Sequence, residues 1–230
     1  LAGPPDGKGK PDGGGEDPPT TPPLPAGLDV RYKVQFVPLP DHNGSIHYQD
    51  VNDSYESVGW FTEEGDIDRG FYYNAATKTF LSATEMLPSL GGGTQFVGIN
   101  NLGWIVGSLA DEDGLRSGIL IYPDSESDSE WSYHAVPGPA NAYEYYPRHV
   151  NDYGDIAGVY WRTNANGTQG LADAFAYNPG LLPDTPLLAP TPFGLAQAHL
   201  YSIQTSNQRR ALAVETSDGT GWWFDFGTES

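Results

Sequence analysis

Cysteine is absent from all 230 residues. That excludes disulfide staples, thiolate metal sites and cysteine nucleophiles, but not an extracellular setting, because a chain can be secreted without any. Basic residues are scarce. Lys and Arg number 11 against 30 Asp and Glu, a formal charge of −19. A surface of that sign repels nucleic acid and anionic membranes and favours solubility and cation binding. Long apolar runs are missing as well: no stretch approaches the roughly 18 residues a membrane span needs. No signal-peptide pattern occurs, and the start at Leu1-Ala2-Gly3, without Met, fits a processed mature chain. A long amphipathic helical pattern is also lacking. The best stretch, Ala75 to Leu87, carries Thr and β-branched residues and reads better as turn plus strand.

Turn formers and flat side chains are abundant. Gly (29) and Pro (20) punctuate the chain densely, as an all-β protein with many turns requires. Aromatics reach 13 %, with 14 Tyr and 6 Trp against a hydrophobic content of only 38 %. That balance suits many short strands carrying large rings.

Three stretches echo one another: Val51-Asn52-Asp53 to Val58-Gly59, Ile99-Asn100-Asn101 to Val106-Gly107, and Val150-Asn151-Asp152 to Ala157-Gly158. The spacing is 48 residues from Asn52 to Asn100 and 51 from Asn100 to Asn151. A degraded fourth copy lies at Thr205-Ser206-Asn207 to Leu212-Ala213. Each copy reads as strand, tight polar turn, strand, and a period of this length signals a repeat architecture. Asn100-Asn101-Leu102-Gly103 and Asn151-Asp152-Tyr153-Gly154 suit a type I turn followed by a left-handed residue. The Asn side chain can accept from the backbone two residues on, and Gly103 and Gly154 supply φ > 0 without steric cost. The first copy has Tyr55 in place of that glycine and the fourth has Arg209, so those hairpins should be strained or differently shaped. Gly59, Gly107 and Gly158 share a strand position where close backbone approach or a bend is expected.

These residues resemble the HAF-repeat family of bacterial extracellular proteins. Leu87-Pro88-Ser89-Leu90-Gly91-Gly92-Gly93, followed by Ile99-Asn100-Asn101-Leu102-Gly103-Trp104-Ile105-Val106-Gly107, is similar to the family's Leu-Gly-Gly and Ile-Asn-x-x-Gly-x-Val-Val-Gly pattern. Asp173-Ala174-Phe175 resembles the His-Ala-Phe stretch that names the family, with Asp replacing His, and Phe71-Tyr72-Tyr73 and Ile119-Leu120-Ile121-Tyr122 fill the slot more loosely. The resemblance covers about residues 30–226; only one copy keeps the Gly-Gly pair. It implies secretion or cell-surface display and a propeller-like fold, and it carries no catalytic residues to transfer.

Two domains are expected. Residues 1–27 hold eight Pro and seven Gly, with Leu1 and Leu24 the only large apolar residues. Alone, such a segment cannot bury enough surface to offset its ordering entropy, so it reads as an extended Pro/Gly-rich tail. Residues 28–230 form the repeat domain. Val30-Arg31-Tyr32-Lys33-Val34-Gln35-Phe36-Val37 alternates as a strand. Four short strands per repeat then follow, in a frame opening at Gly70-Phe71-Tyr72-Tyr73, again at Ile119, and again at Ala174. In that frame Tyr32 to Leu39 is a second strand and Trp222-Trp223-Phe224-Asp225-Phe226 a first strand. The C-terminal strand can therefore complete the unit begun at the N-terminus and remove an open edge. The expected fold is all-β, a small propeller of four blades with four strands each. Another closed barrel-like arrangement and an open array closed by oligomerisation fit the same pattern.

Candidate chemistry is sparse. Glu63-Glu64-Gly65-Asp66-Ile67-Asp68 and Asp111-Glu112-Asp113-Gly114 are alternating carboxylates on Gly-containing loops. Asp66, Asp68, Asp111 and Asp113 are therefore candidate Ca²⁺ ligands, although neither loop follows the EF-hand pattern. Plain solvated loops are the preferred reading, as for the Ser/Asp/Glu run from Asp124 to Glu130. His42, His47, His134, His149 and His199 are scattered without zinc-ligand spacing. Asp50, His149 and Gln204 would converge if their strand lined a central channel, and the alternative is ordinary strand residues. No nucleophile elbow, phosphate loop or dinucleotide fingerprint occurs. Tyr143, Tyr145, Tyr146, Trp222 and Trp223 suit sugar stacking, a core or an interface. Sequons lie at Asn43, Asn52 and Asn166.

The reading that unites these features is a non-enzymatic extracellular structural protein whose partners are other copies of itself. Leu1, Pro4, Pro5, Lys8, Lys10 and Leu24 would dock the tail on a neighbouring subunit, giving a filament or surface layer. A secreted glycan- or Ca²⁺-dependent binding module is the alternative, and a polysaccharide-active enzyme is the third reading.

Overall fold

The computed structural model describes residues 45–63, 65, 67–90, 93–124, 126, 130–180, 187–188, 202–205, 211–215 and 221–225. All of them fall within one compact unit, Val37–Ser230. The tail residues Leu1, Pro4, Pro5, Lys8, Lys10 and Leu24 lie outside the described residues, as does the Tyr32 to Leu39 segment.

The described chain is all-β. Its strands are β1 (Ile46–Val51), β2 (Glu56–Thr62), β3 (Asp68–Asn74), β4 (Thr79–Ser82), β5 (Thr94–Ile99), β6 (Ile105–Ala110), β7 (Arg116–Pro123) and β8 (Trp131–Ala135). They continue with β9 (Ala142–Val150), β10 (Ile156–Thr163), β11 (Gln169–Tyr177), β12 (Leu187–Leu188), β13 (Ser202–Thr205), β14 (Ala211–Glu215) and β15 (Gly221–Asp225). Hydrogen bonding sorts them into three four-stranded antiparallel meanders, β1–β4, β5–β8 and β9–β12, and a three-stranded one, β13–β15. Among the described residues these sheets form neither a closed barrel nor a closed propeller.

The unit boundary differs from the one read in the sequence. Repetition fixes the period but not the phase, and the frame opening at Gly70 would join β3 and β4 to β5 and β6. The observed sheet instead begins one hairpin earlier, at the strand that precedes the Asn turn. The break falls at β4–β5, where the stretch read as a strand to Leu87 contains one helical turn, α1 (Ala83–Met86). Ser82 and Glu85 start that turn with a reciprocal capping box. The Glu85 carboxylate accepts from the Ser82 N–H at 2.7 Å, and the Ser82 hydroxyl accepts from the Glu85 N–H. These bonds hold the Glu85 carboxyl below its usual pKa.

The first strand of each four-stranded sheet carries a bulge at the same place. The register of β1 against β2 slips between Tyr48 and Asp50, that of β5 against β6 between Phe96 and Gly98, and that of β9 against β10 between Pro147 and His149. Gln49, Val97 and Arg148 are the extra residues, and such bulges deepen the local twist. Opposite them sit Gly59, Gly107 and Gly158. A Cβ on these glycines would collide with the carbonyl oxygens of His47, Gln95 and Tyr146, respectively. This is the close approach expected at that strand position.

Cores form between successive sheets. Val58, Tyr72, Met86, Leu90, Phe96, Ile105 and Ile121 are buried between the first and second sheets. Val106, Leu120, Val150, Ile156 and Phe175 are buried between the second and third. Each such side chain contributes about 1.5–3 kcal/mol. The first strand of one sheet packs on the third strand of the sheet before it: the Phe96 ring lies over Gly70, and Pro147 lies over Gly118.

Candidate functional site: a ladder of stitched turns

The three turns between first and second strands are built alike. The Asn52 side-chain oxygen accepts from the N–H groups of Ser54 and Glu56, each at 3.0 Å. Asn100 does the same for Leu102 (3.0 Å) and Trp104 (2.8 Å), and Asn151 for Tyr153 (3.1 Å) and Asp155 (2.8 Å). A short polar side chain thereby closes the turn on itself. The last turn residue is left-handed in every copy: Gly103 has φ 76°, Gly154 has φ 79°, and Tyr55 has φ 60°. Tyr55 thus takes the glycine conformation with a side chain attached, at a steric cost glycine avoids. The fourth copy's Arg209 lies outside the described residues.

The same carboxamides also join the sheets. Asn52 Nδ2 donates to the Asn100 carbonyl at 2.9 Å, and Asn100 Nδ2 donates to the Asn151 carbonyl at 2.8 Å. A parallel rail runs one residue further on. The Asp53 N–H donates to Asn101 Oδ1 (2.9 Å), and the Asn101 N–H to Asp152 Oδ1 (2.8 Å), backed by Asn101 Nδ2 on Asp152 Oδ2 (3.0 Å). Asn52, Asn100 and Asn151 are all buried, where an unmade hydrogen bond costs about 1–3 kcal/mol.

Buttresses stand behind the ladder. Glu56 accepts from Asn52 Nδ2 (2.7 Å), the Tyr72 hydroxyl (2.6 Å) and Asn74 Nδ2 (3.2 Å). Burial, together with the bond to the Glu56 carboxylate, pushes the Tyr72 hydroxyl up to about 12. In the third sheet Asp155 accepts from Asn151 Nδ2 (3.0 Å) and Asn178 Nδ2 (2.7 Å). The second sheet replaces this polar pair with two rings, Trp104 and Tyr122, whose centroids lie 6.3 Å apart. Trp104 also covers the neighbouring turn, its ring edge 2.9 Å from where a Gly154 Cβ would stand.

The other candidates occupy less connected places. Asp68 is engaged internally: Arg116 Nη2 reaches its carboxylate at 2.8 Å and Gln95 Nε2 at 2.6 Å. Asp111 Oδ1 closes its own turn by accepting from the N–H groups of Asp113 (3.0 Å) and Leu115 (2.8 Å), and the Asp113 residue is exposed. Asp66 lies outside the described residues. Among the described residues no cluster of three or more His, Asp or Glu has metal-binding geometry.

Asp50 and His149 do flank one spot. The Asp50 carboxylate accepts from the Ile99 N–H at 3.0 Å, and the His149 Cα lies 3.2 Å from where a Gly98 Cβ would be. Burial lowers the His149 pKa; Arg148 pushes the same way and Asp50 opposes. Gln204 does not share their position. Asp50 pairs with Val58 and His149 with Ala157, whereas Gln204 pairs with Ala213, and Thr205 with Leu212. Of the sugar-stacking candidates, Tyr145 is committed inward: its ring lies against Gly138 and its hydroxyl donates to the Val136 carbonyl at 2.9 Å. Tyr146 stands edge-on to Trp161 and donates to Glu144 at 2.8 Å.

Sequence reasoning supplies the turn role of each Asn but not its donation to the next sheet. The signal for the second role is the residue that follows: Asp53, Asn101 and Asp152 all carry a side-chain oxygen able to receive a neighbour's N–H. The Glu56–Asn74 and Asp155–Asn178 pairs lie 18 and 23 residues apart and have no local signal. No family model matches this chain, and no curated protein matches it significantly.

Proposed function

We propose that this chain is a non-catalytic extracellular structural protein that self-assembles, its tail (residues 1–27) docking on a neighbouring subunit. The ladder Asn52–Asn100–Asn151 carries the reading: the most regular polar residues of the repeat are spent on holding sheet to sheet, which is the chemistry of a scaffold. Resemblance to HAF-repeat proteins and a formal charge of −19 support secretion or surface display.

The repeat domain in this proposal is a four-bladed β-propeller. Its support is the chain-order meander of each sheet and the packing of each first strand on the sheet before it. The fourth sheet runs β13–β14–β15, and in this proposal the alternating sequence of Tyr32 to Leu39 would supply its fourth strand. Closure would then join the two ends of the chain, as closed propellers require.

Negative-stain electron microscopy of the full chain beside a chain starting at Gly27 tests the assembly reading. Filaments or layers in the full-length sample alone are expected. Monodisperse particles in both samples would overturn it. The second reading, a glycan-binding module with Ca²⁺ held at exposed carboxylates such as Asp113, would then be tested on glycan arrays with and without Ca²⁺. The exposed rings of Tyr48 and Tyr133 favour that reading.

A further inference from the structure

The turn end of the array carries an apolar surface that neither the ladder nor the cores use. Tyr55, Leu102 and Tyr153 are 73, 55 and 58 % exposed, one on each of the three stitched turns. The ladder bonds of 2.8 and 2.9 Å hold those turns side by side, and Leu102 and Tyr153 occupy the same position in successive turns. Scattered exposed apolar residues are ordinary, whereas a contiguous group marks an interaction site. Carboxylates border this one: Asp53 is exposed, and Asp152 is at the surface receiving Asn101.

We infer that this face is the docking site for residues 1–11 of a second copy's tail. The inference rests on the assembly reading above and names the surface that reading requires. Three properties of the segment Leu1-Ala2-Gly3-Pro4-Pro5-Asp6-Gly7-Lys8-Gly9-Lys10-Pro11 match the face. Pro4, Pro5 and Pro11 favour an extended polyproline conformation, which docks on aromatic surfaces with little entropy left to lose. Leu1 adds an apolar anchor. Lys8 and Lys10 are the only basic residues in the first 27 and are opposite in sign to Asp53 and Asp152. Pairing of two turn ends with each other is disfavoured, because it would set these carboxylates against their own copies.

Sedimentation velocity of the full chain over a concentration series tests the site. Two double variants, Leu102→Ser with Tyr153→Ser and Lys8→Glu with Lys10→Glu, should each raise the concentration of half-assembly about tenfold or more. Their thermal unfolding should match the parent, since the first pair is exposed and the second lies in the tail. Adding Asp53→Lys to the lysine double variant should restore assembly in part, a result expected only of direct contact. Assembly that survives the turn-end variant but disappears on starting the chain at Gly27 would overturn this site and leave the assembly reading standing. Assembly lost in the turn-end variant but untouched by the lysine variant would overturn the tail as occupant. A concentration-independent compact species would place the tail on its own subunit and overturn docking between copies. Absence of assembly in the parent chain at every concentration would overturn both.

Discussion

The Asn100 side chain does two jobs at once: its oxygen receives the N–H groups of Leu102 and Trp104, while its nitrogen donates to the Asn151 carbonyl of the next sheet at 2.8 Å. The carboxamide can do this because its acceptor and its donors are separate atoms. Asn100→Ala should therefore cost about 2–4 kcal/mol, because buried groups on both sides lose their partner. Asn100→Asp keeps the turn acceptor but faces a carboxylate oxygen toward the Asn151 carbonyl, so its loss reports the inter-sheet bond. Urea unfolding of both variants measures the difference. A change under about 0.5 kcal/mol in either would show that the ladder is incidental.

Tyr55 and Gly154 hold equivalent turn positions with φ 60° and 79°. Tyr55→Gly should stabilise the fold by about 1 kcal/mol through relief of the left-handed backbone. Gly154→Ala should destabilise it by about 1–3 kcal/mol, since the new Cβ meets both the unfavourable φ and the Trp104 ring at 2.9 Å. Thermal unfolding distinguishes the two, and shifts of the same sign would refute the equivalence of the turns. Tyr55→Gly should also weaken assembly, separating stability from docking.

The pH response should carry the signature of His149. Its pKa in the fold is held below the ordinary imidazole value of about 6.5, by burial first. Below that value the unfolded chain binds a proton that the folded chain refuses. The contribution to stability is thus fully present above pH 6.5 and is lost as the pH falls toward the folded pKa. His149→Gln should flatten the melting temperature across this window. A variant profile parallel to the parent's between about pH 7 and 5.5 would assign the response to other groups.

The sequons separate by structure. Asn52 Nδ2, the atom a glycan would modify, already donates to Asn100 and Glu56. Asn166 is exposed at the tip of the β10–β11 hairpin. Folded chain secreted from a host that makes N-glycans should carry sugar at Asn166 and none at Asn52, as read by peptide mass spectrometry. A folded fraction with Asn52 occupied would contradict the ladder.

Much of this fold is legible in the chain because its information is local. Asn100-Asn101-Leu102-Gly103 announces a turn, and the left-handed Gly103 follows from that turn alone. The repeat period places similar strands at similar intervals. Phase is not local. Which hairpin opens a sheet depends on pairing across the α1 connection, and nothing within Gly70 to Tyr73 records it. The helical turn at Ala83–Met86 has a local signal in the Ser82-x-x-Glu85 capping box and the helix formers Ala83, Glu85 and Met86, but a single turn is too short to show a helical period. Carboxylates mislead as well. Asp68 reads as a free loop acid, yet its partner Arg116 lies 48 residues on.

Gly98 shows how one absent methyl group sets the geometry between sheets. A Cβ there would stand 2.7 Å from the Arg148 carbonyl oxygen, so the second and third sheets meet closely only because that position is bare. Any larger residue would prise the two apart where their first strands meet and change the wedge between successive sheets. In the proposed propeller, the number of units that fit around the ring follows from that wedge. Under the propeller proposal, duplication of a repeat would have to be matched by substitution at this site before a larger ring could close.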